Sequence, residues 1–260
     1  MRFAVFALKM VALRECVAHI LCRNGSDTRV ALRRKQLVIW GARGHASVVA
    51  DIVRQGQTHE IACFVDDSGG NSARGRAFLG VRVLSDRKEL AAMFRRGVED
   101  IIIAIGDCDA RLKLAAAAKG LGFRLWSAVH PHAVVALSAQ VGAGTVIAAG
   151  AVIGPGTTLG ENVIVNSCAS VDHDCRLAEG VHICPGTHLA GRVEVGRAAW
   201  IGIGSTVIER VRIGQGAFVA AGAVVVGEIP ERVLARGVPA RVVRKLPFGW
   251  SPAISDNYGS

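Results

Sequence analysis

The segment Val171, Asp172, His173, Asp174 sets one imidazole between two carboxylates. A neighbouring carboxylate can hold one ring nitrogen of a histidine, orient the ring and stabilise its protonated form, which leaves the other nitrogen to take a proton as a general base. The same histidine also reads as an exposed side chain of a repetitive stretch. Gly191 follows 18 residues later, and a glycine offers open space and an approachable backbone N–H of the kind that holds a developing oxyanion, or simply relieves a tight corner. His173, Cys175, His182, Cys184 and His188 are also nitrogen and sulfur donors suited to zinc. Their spacings of 9 and 6 scatter them over different faces of the coil described next, so no metal is expected, and Cys175 reads as core packing.

A regular element must position these residues. Counting in sixes from Val135 to Val225 meets sixteen consecutive aliphatic residues, and four residues after each of the first fifteen lies Ala, Thr, Val, Cys or Ser. A period of six fits neither an amphipathic helix nor a hairpin stack, but it fits a β-helix whose coil has three short faces. Each face turns one aliphatic residue inward with a smaller one near the corner, and stacked coils build an apolar column. With three hexapeptides per coil, residues 18 apart stand above one another at about the 4.8 Å strand spacing, so Gly191 stacks on His173. Gly142, Gly154, Gly160, Gly196, Gly202 and Gly214 follow aliphatic positions directly, where left-handed φ values are expected.

Before the repeat, strands and helices alternate. Leu37 to Trp40 is a short apolar run ending at Gly41, and Gly44 to Gln55 has helical spacing through Val48, Val49, Ile52 and Val53. A strand at Glu60 to Val65 precedes a Gly/Ser/Arg-rich loop from Ser68 to Arg76. Ser85 is the expected cap of a helix through Arg96, Ile101 to Ile105 is a third strand, and Asp107 to Lys119 an alanine-rich helix. Such alternation predicts a small parallel sheet covered by helices, a Rossmann-like α/β domain ahead of the parallel β-helix. The expected divisions are an extension over 1–36, poorly ordered, the α/β domain over 37–128, the β-helix over 129–245 and a tail over 246–260.

Charge and cysteine content narrow the partners. The formal charge is +10, but residues 1–36 hold eight basic residues against Glu15 and Asp27, a net of +6, which leaves +4 for the rest. That balance suits polyanionic small molecules as well as DNA, and no basic and aromatic interleaving argues for stacked bases. Seven cysteines without a C-x-x-C pair favour reduced thiols and the cytoplasm. The apolar stretch Phe3 to Leu13 is broken by Lys9 and lacks a small-residue cleavage site, so no signal peptide is expected, and no later run suits a membrane span.

Several short motifs follow one another in order: Gly41, Ala42, Arg43, Gly44, His45 after the first strand; Phe64 to Asp67; Ile105, Gly106, Asp107 with Arg111; His130 and Pro131; Asn166; Val171 to Asp174; Pro185 to Gly191; and Gly237, Val238, Pro239, Ala240. From about Leu37 to Arg244 the chain thereby resembles the left-handed β-helix acyltransferases, and among them the PglD/NeuD-type sugar acyltransferases. Members similar to this chain usually carry a second glycine where Arg43 stands.

The resemblance implies acetyl transfer from acetyl-CoA to the 4-amino group of a UDP- or GDP-linked deoxyamino sugar. Transfer to a hydroxyl of sialic acid or a similar sugar is the alternative, and a zinc carbonic anhydrase-like protein is an alternative of another class. The resemblance implies a homotrimer with active sites between subunits. It makes His173 the base, Asp174 its orienting acid and Gly191 the oxyanion donor on the cofactor side. Asn166 and His182 would line the acceptor pocket, and Gly41, Gly44, His45 and Asp66 would hold the nucleotide. Gly237, Pro239 and Ala240 would contact the cofactor. His188 receives no role.

Overall fold

The computed structural model of the chain describes residues 34–67, 76–248 and 250. The expected extension lies outside them up to residue 33, as do residues 68–75 of the expected Gly/Ser/Arg-rich loop and residues 249 and 251–260 of the expected tail.

The first strand starts two residues earlier than expected. β1 (Lys35–Trp40), β2 (His59–Val65), β3 (Ala77–Phe78), β4 (Val81–Leu84), β5 (Asp100–Ile103) and β6 (Arg124–Leu125) form a sheet in the order β3-β4-β2-β1-β5-β6. All neighbours are parallel except the β3–β4 hairpin, which the sequence pattern did not disclose. Three helices cover the sheet: α1 (Gly44–Gly56), α2 (Arg87–Arg95) and α3 (Cys108–Gly120). The α2 cap is Asp86 rather than Ser85, because its carboxylate accepts from the Lys88 N–H at 2.8 Å, while Asp107 caps α3 through the Ala110 N–H at 2.7 Å.

The strands alternate their side chains between two cores, as period two requires. Val38, Trp40, Ile101 and Ile103 face Leu90 of α2 and Ala115 and Ala118 of α3. Leu37, Ile39, Phe64 and Ile102 face Val49, Ile52 and Val53 of α1, and the same cluster continues into Val146 and Ile164 of the repeat. Helix α1 is therefore packed both on its own sheet and on the outside of the β-helix.

The repeat folds as its period predicts, into two-residue strands in three parallel sheets. The first face begins at Ala128–Val129, one residue before the expected boundary, and stacks Val146, Ile164, His182, Trp200 and Phe218 outward in 18-residue register. The second runs through strands starting at Val134, Val152, Ser170, His188, Thr206 and Val224, and the third through Gln140, Thr158, Arg176, Glu194 and Arg212. The second residue of each strand points inward, so Ile147, Val165, Val171, Ile183 and Ile201 are buried with Ala151, Cys175 and Val193 in one column. Each such aliphatic side chain is worth about 1.5–3 kcal/mol on burial.

The reason for the corner glycines differs from the expected one. Left-handed φ occurs two residues further on, at Asn162 (55°), Cys168 (56°) and Asp174 (57°) among others. Gly142 and Gly154 are glycine because a Cβ would come within 2.4 Å and 2.7 Å, respectively, of the backbone of the next coil. The tail is partly folded: Leu246 is buried, and Trp250 meets Phe218 edge to face with ring centroids 5.0 Å apart. Among the described residues no helix is long and apolar enough to cross a membrane.

Candidate active site

Pairing of Ser170–Val171 with His188–Leu189 carries the stack through the following corner, which puts His173 beneath Gly191. The Arg192 N–H donates to the His173 carbonyl at 2.9 Å. The His173 ring projects half-exposed, and its Nδ1 lies 2.9 Å from Asp174 Oδ2. An ionised carboxylate only accepts, so Nδ1 carries a proton, and in the neutral ring Nε2 keeps its lone pair. That hydrogen bond from His173 holds the Asp174 carboxyl below its usual range, with Arg192 Nε 3.9 Å away giving further help. Asp172 turns back instead and accepts from the His173 N–H at 2.8 Å.

Nε2 faces the glycine. A Cβ on Gly191 would stand 2.5 Å from His173 Nε2 and 2.6 Å from Cε1, so the imidazole occupies space that only glycine leaves. The Gly191 carbonyl accepts from the Arg210 N–H at 3.0 Å, whereas its own N–H meets no backbone acceptor among the described residues. A bare imidazole nitrogen and, beside it, an amide without a backbone acceptor can take a proton from a nucleophile and donate to an oxyanion.

Cys175 is fully buried, its Sγ donates to the Ala190 carbonyl at 3.2 Å, and burial pushes its thiol pKa up, none of which suits a nucleophile. His188 lies on the outer second face, where Ser170 Oγ meets its Nδ1 at 2.8 Å. Among the described residues no three His, Cys, Asp or Glu side chains are grouped to hold a metal ion. Along the same face, Ala240 N–H donates to the Val224 carbonyl at 2.8 Å and Val224 N–H to the Gly237 carbonyl at 3.1 Å. The turn holding Gly237, Pro239 and Ala240 thus continues the face that carries the His173 corner.

The remaining predicted residues gather elsewhere. Gly41 ends β1, where a Cβ would strike the Ala104 carbonyl oxygen at 2.5 Å, and Gly44 opens α1 with nothing within 4 Å of its Cβ position. Asp66 is buried at the end of β2, with Arg76 Nη1 4.0 Å from its carboxylate. His45, in the first turn of α1, has its ring 6.2 Å from that of His182, and its buried Nε2 has no hydrogen-bond partner among the described residues. Burial, reinforced by the Arg111 charge, lowers its pKa to about 4.

His182 is not the solvated side chain that its outward position would suggest. The α/β domain covers the first face, so the ring is buried, with Nδ1 3.2 Å from the Gly106 carbonyl and Nε2 3.4 Å from Asn166 Nδ2. Burial, then Arg111 and His45, hold it well below the usual histidine range. Asn166 belongs to the corner before the second face and His173 to the corner after it, so these groups stand at opposite edges of that face.

Sequence reasoning missed the roles of Trp200, whose ring packs at a tilt with its centroid 4.1 Å from that of His182, and of Arg111. The signal for the covered face was readable: Val146, Ile164, His182, Trp200 and Phe218, at 18-residue spacing, put bulk on positions that point outward.

Residues 36–118 match the PglD N-terminal domain family. The fold is similar to that of a variant of GDP-perosamine N-acetyltransferase from Caulobacter crescentus, solved with CoA and GDP-perosamine: 40% identity, 81% of this chain and 97% of that chain covered, TM-score 0.77. It is similar also to the acetyltransferase domain of PglB from Neisseria gonorrhoeae in complex with acetyl coenzyme A, at 36% identity over 81% of this chain and 100% of that one, TM-score 0.72. WeeI from Acinetobacter baumannii, at 24% identity over 80% of this chain and 100% of that one, shares the fold with a TM-score of 0.72.

Proposed function

Because the chain belongs to the PglD-type sugar acetyltransferases of the left-handed β-helix class, we propose that it acetylates the amino group of a nucleotide-linked amino sugar from acetyl-CoA, with His173 as general base. Transfer to an amine rather than to a sialic acid hydroxyl is supported by the relative solved with GDP-perosamine. The observation that carries the catalytic reading is the His173 ring, tethered by Asp174 through Nδ1 and resting its Nε2 against Gly191.

The sugar nitrogen attacks the thioester carbonyl carbon and forms the C–N bond. His173 Nε2 takes the proton that the nitrogen loses, and the Gly191 N–H donates to the oxyanion of the tetrahedral intermediate. When the carbonyl reforms, the C–S bond breaks and the imidazolium returns its proton to the CoA sulfur. The transfer is direct, consistent with the burial of Cys175. Gly237, Pro239 and Ala240 lie along the face where CoA would run. Gly41, Gly44, His45 and Asp66 would hold the nucleotide near the carboxyl ends of β1 and β2, where open α/β sheets bind ligands.

The acid-base corner and the Asn166–His182 group stand at opposite edges of the second face, so a neighbouring subunit would complete each site. That face exposes Val134 (62%) and Val152 (42%), with Ile208 (42%) and Val226 (46%) on its edge, an apolar surface suited to the core of a homotrimer. The cytoplasm suits the reduced Cys63, Cys108, Cys168, Cys175 and Cys184.

The test is thiol release from acetyl-CoA across UDP- and GDP-linked amino sugars and free sialic acids, with sedimentation to fix the oligomer. Acetylation of an amino sugar by a trimer is the expected outcome. Transfer confined to hydroxyl acceptors overturns the acceptor, and an active monomer overturns the shared site.

A further inference from the structure

We propose that Arg111 is a positioning residue for the acceptor pocket, fixing the tautomer of His182 and through it the direction of the Asn166 amide; the assignment rests on the reading of that pocket given above. Arg111 is fully buried one turn into α3. Its hydrogen-bond partners among the described residues are main-chain carbonyls drawn from both parts of the fold. Nε donates to Asn162 O at 2.9 Å and Nη2 to Gly180 O at 2.7 Å, on two stacked corners of the β-helix. Nη1 donates to Ile105 O at 2.9 Å and Gly106 O at 2.7 Å, in the turn that leads into α3. A buried guanidinium is tolerable only with its donors satisfied, so these carbonyls and the cation fix one another.

The Gly106 carbonyl also receives His182 Nδ1 at 3.2 Å. A carbonyl oxygen cannot donate, so Nδ1 must carry the proton and Nε2 must be bare. Asn166 Oδ1 accepts from the Ser167 N–H at 2.9 Å, which turns Nδ2 toward His182 Nε2 at 3.4 Å. Donation therefore runs from Asn166 Nδ2 to His182 Nε2 and from His182 Nδ1 to the Gly106 carbonyl, the same oxygen that Arg111 Nη1 holds. Trp200 against the ring keeps it from swinging away. With the Nε2 lone pair taken up by one amide hydrogen, the pocket presents the second Nδ2 hydrogen of Asn166 in a fixed direction, a donor for an accepting oxygen of the sugar.

Ring ¹⁵N NMR of His182 in the full-length protein reads the tautomer directly and needs no substrate. Nδ1–H with bare Nε2 is expected, and the opposite tautomer or a mixture overturns the proposal even if the enzyme acetylates sugars as expected. In Arg111→Met, the tautomer signals should mix and KM for the nucleotide amino sugar should rise about tenfold, the loss of roughly one hydrogen bond. KM for acetyl-CoA should stay within about twofold, and Arg111→Lys should recover part of the sugar KM. A variant whose melting temperature falls while tautomer and sugar KM remain wild type would leave Arg111 a structural clip only.

Discussion

A Cβ placed on Gly191 would lie 2.5 Å from Nε2 of His173, 18 residues earlier in the chain and one coil below. Glycine at 191 is thus required by a neighbouring side chain rather than by its own backbone, which keeps an ordinary φ. Gly191→Ala should push the imidazole aside and lower kcat by about 10²-fold or more, since displacements near 1 Å have that effect. The atoms that a Cβ would meet belong to the half-exposed His173 ring, which can move, so the melting temperature should move little. Full turnover in this variant would mean that the ring works from another position.

Asp174 sits at left-handed φ (57°), a conformation that asparagine tolerates well. Asp174→Asn therefore preserves the corner while replacing the carboxylate that holds His173 Nδ1. Turnover should fall about 10- to 10²-fold without a matching rise in KM for acetyl-CoA, as expected where orientation of the base is lost. Steady-state kinetics of the two variants side by side separates displacement of the ring from loss of its carboxylate tether.

Cys175→Ala should retain most of its turnover, because the Sγ is buried in the β-helix core and its thiol is held above the ordinary range. Alkylation of that thiol in the native protein should be slow and should track unfolding. A 10³-fold loss of kcat in a folded Cys175→Ala protein would reinstate an acyl-cysteine route.

At the opposite end of the sheet, Asp100 is buried between His59 Nε2 (3.1 Å) and Arg124 Nε (2.6 Å). Burial alone would raise its pKa, but the hydrogen bonds from His59 and Arg124 prevail and lower it from 3.8 to about 2. A depressed carboxyl pKa gives stability that is present above the unfolded value and lost as pH falls through the folded one. About 2 kcal/mol should therefore disappear between roughly pH 4 and pH 2. Asp100→Asn should be destabilised at pH 7 and converge with wild type near pH 2 in denaturant melts; a pH-independent gap would contradict the linkage.

The β-helix was legible because every rung repeats the same local requirement, an inward aliphatic residue and a small partner four residues on. Its glycines were legible in place but not in cause, since a period cannot distinguish a left-handed φ from a close backbone approach such as that of Gly142 to Gly160. His173, Asp174 and Gly191 could be joined by arithmetic because stacking converts 18 residues of sequence into one step of space. The outward bulk at 18-residue spacing marked the covered face that buries His182, but the carbonyl clip of Arg111 could not be read, because it depends on which coils the α/β domain covers. That docking is set by the packing of α1 on Val146 and Ile164, far from either residue in sequence. The β3–β4 hairpin escaped notice because the two residues of β3 and the four of β4 carry too little alternation to detect.

The most direct measurement is kcat of His173→Ala with acetyl-CoA and a nucleotide-linked amino sugar that the wild-type enzyme accepts, alongside its melting temperature. A fall of about 10²- to 10⁴-fold in a protein that melts as wild type is the expected result. Turnover within a few fold of wild type would contradict the assignment of the base.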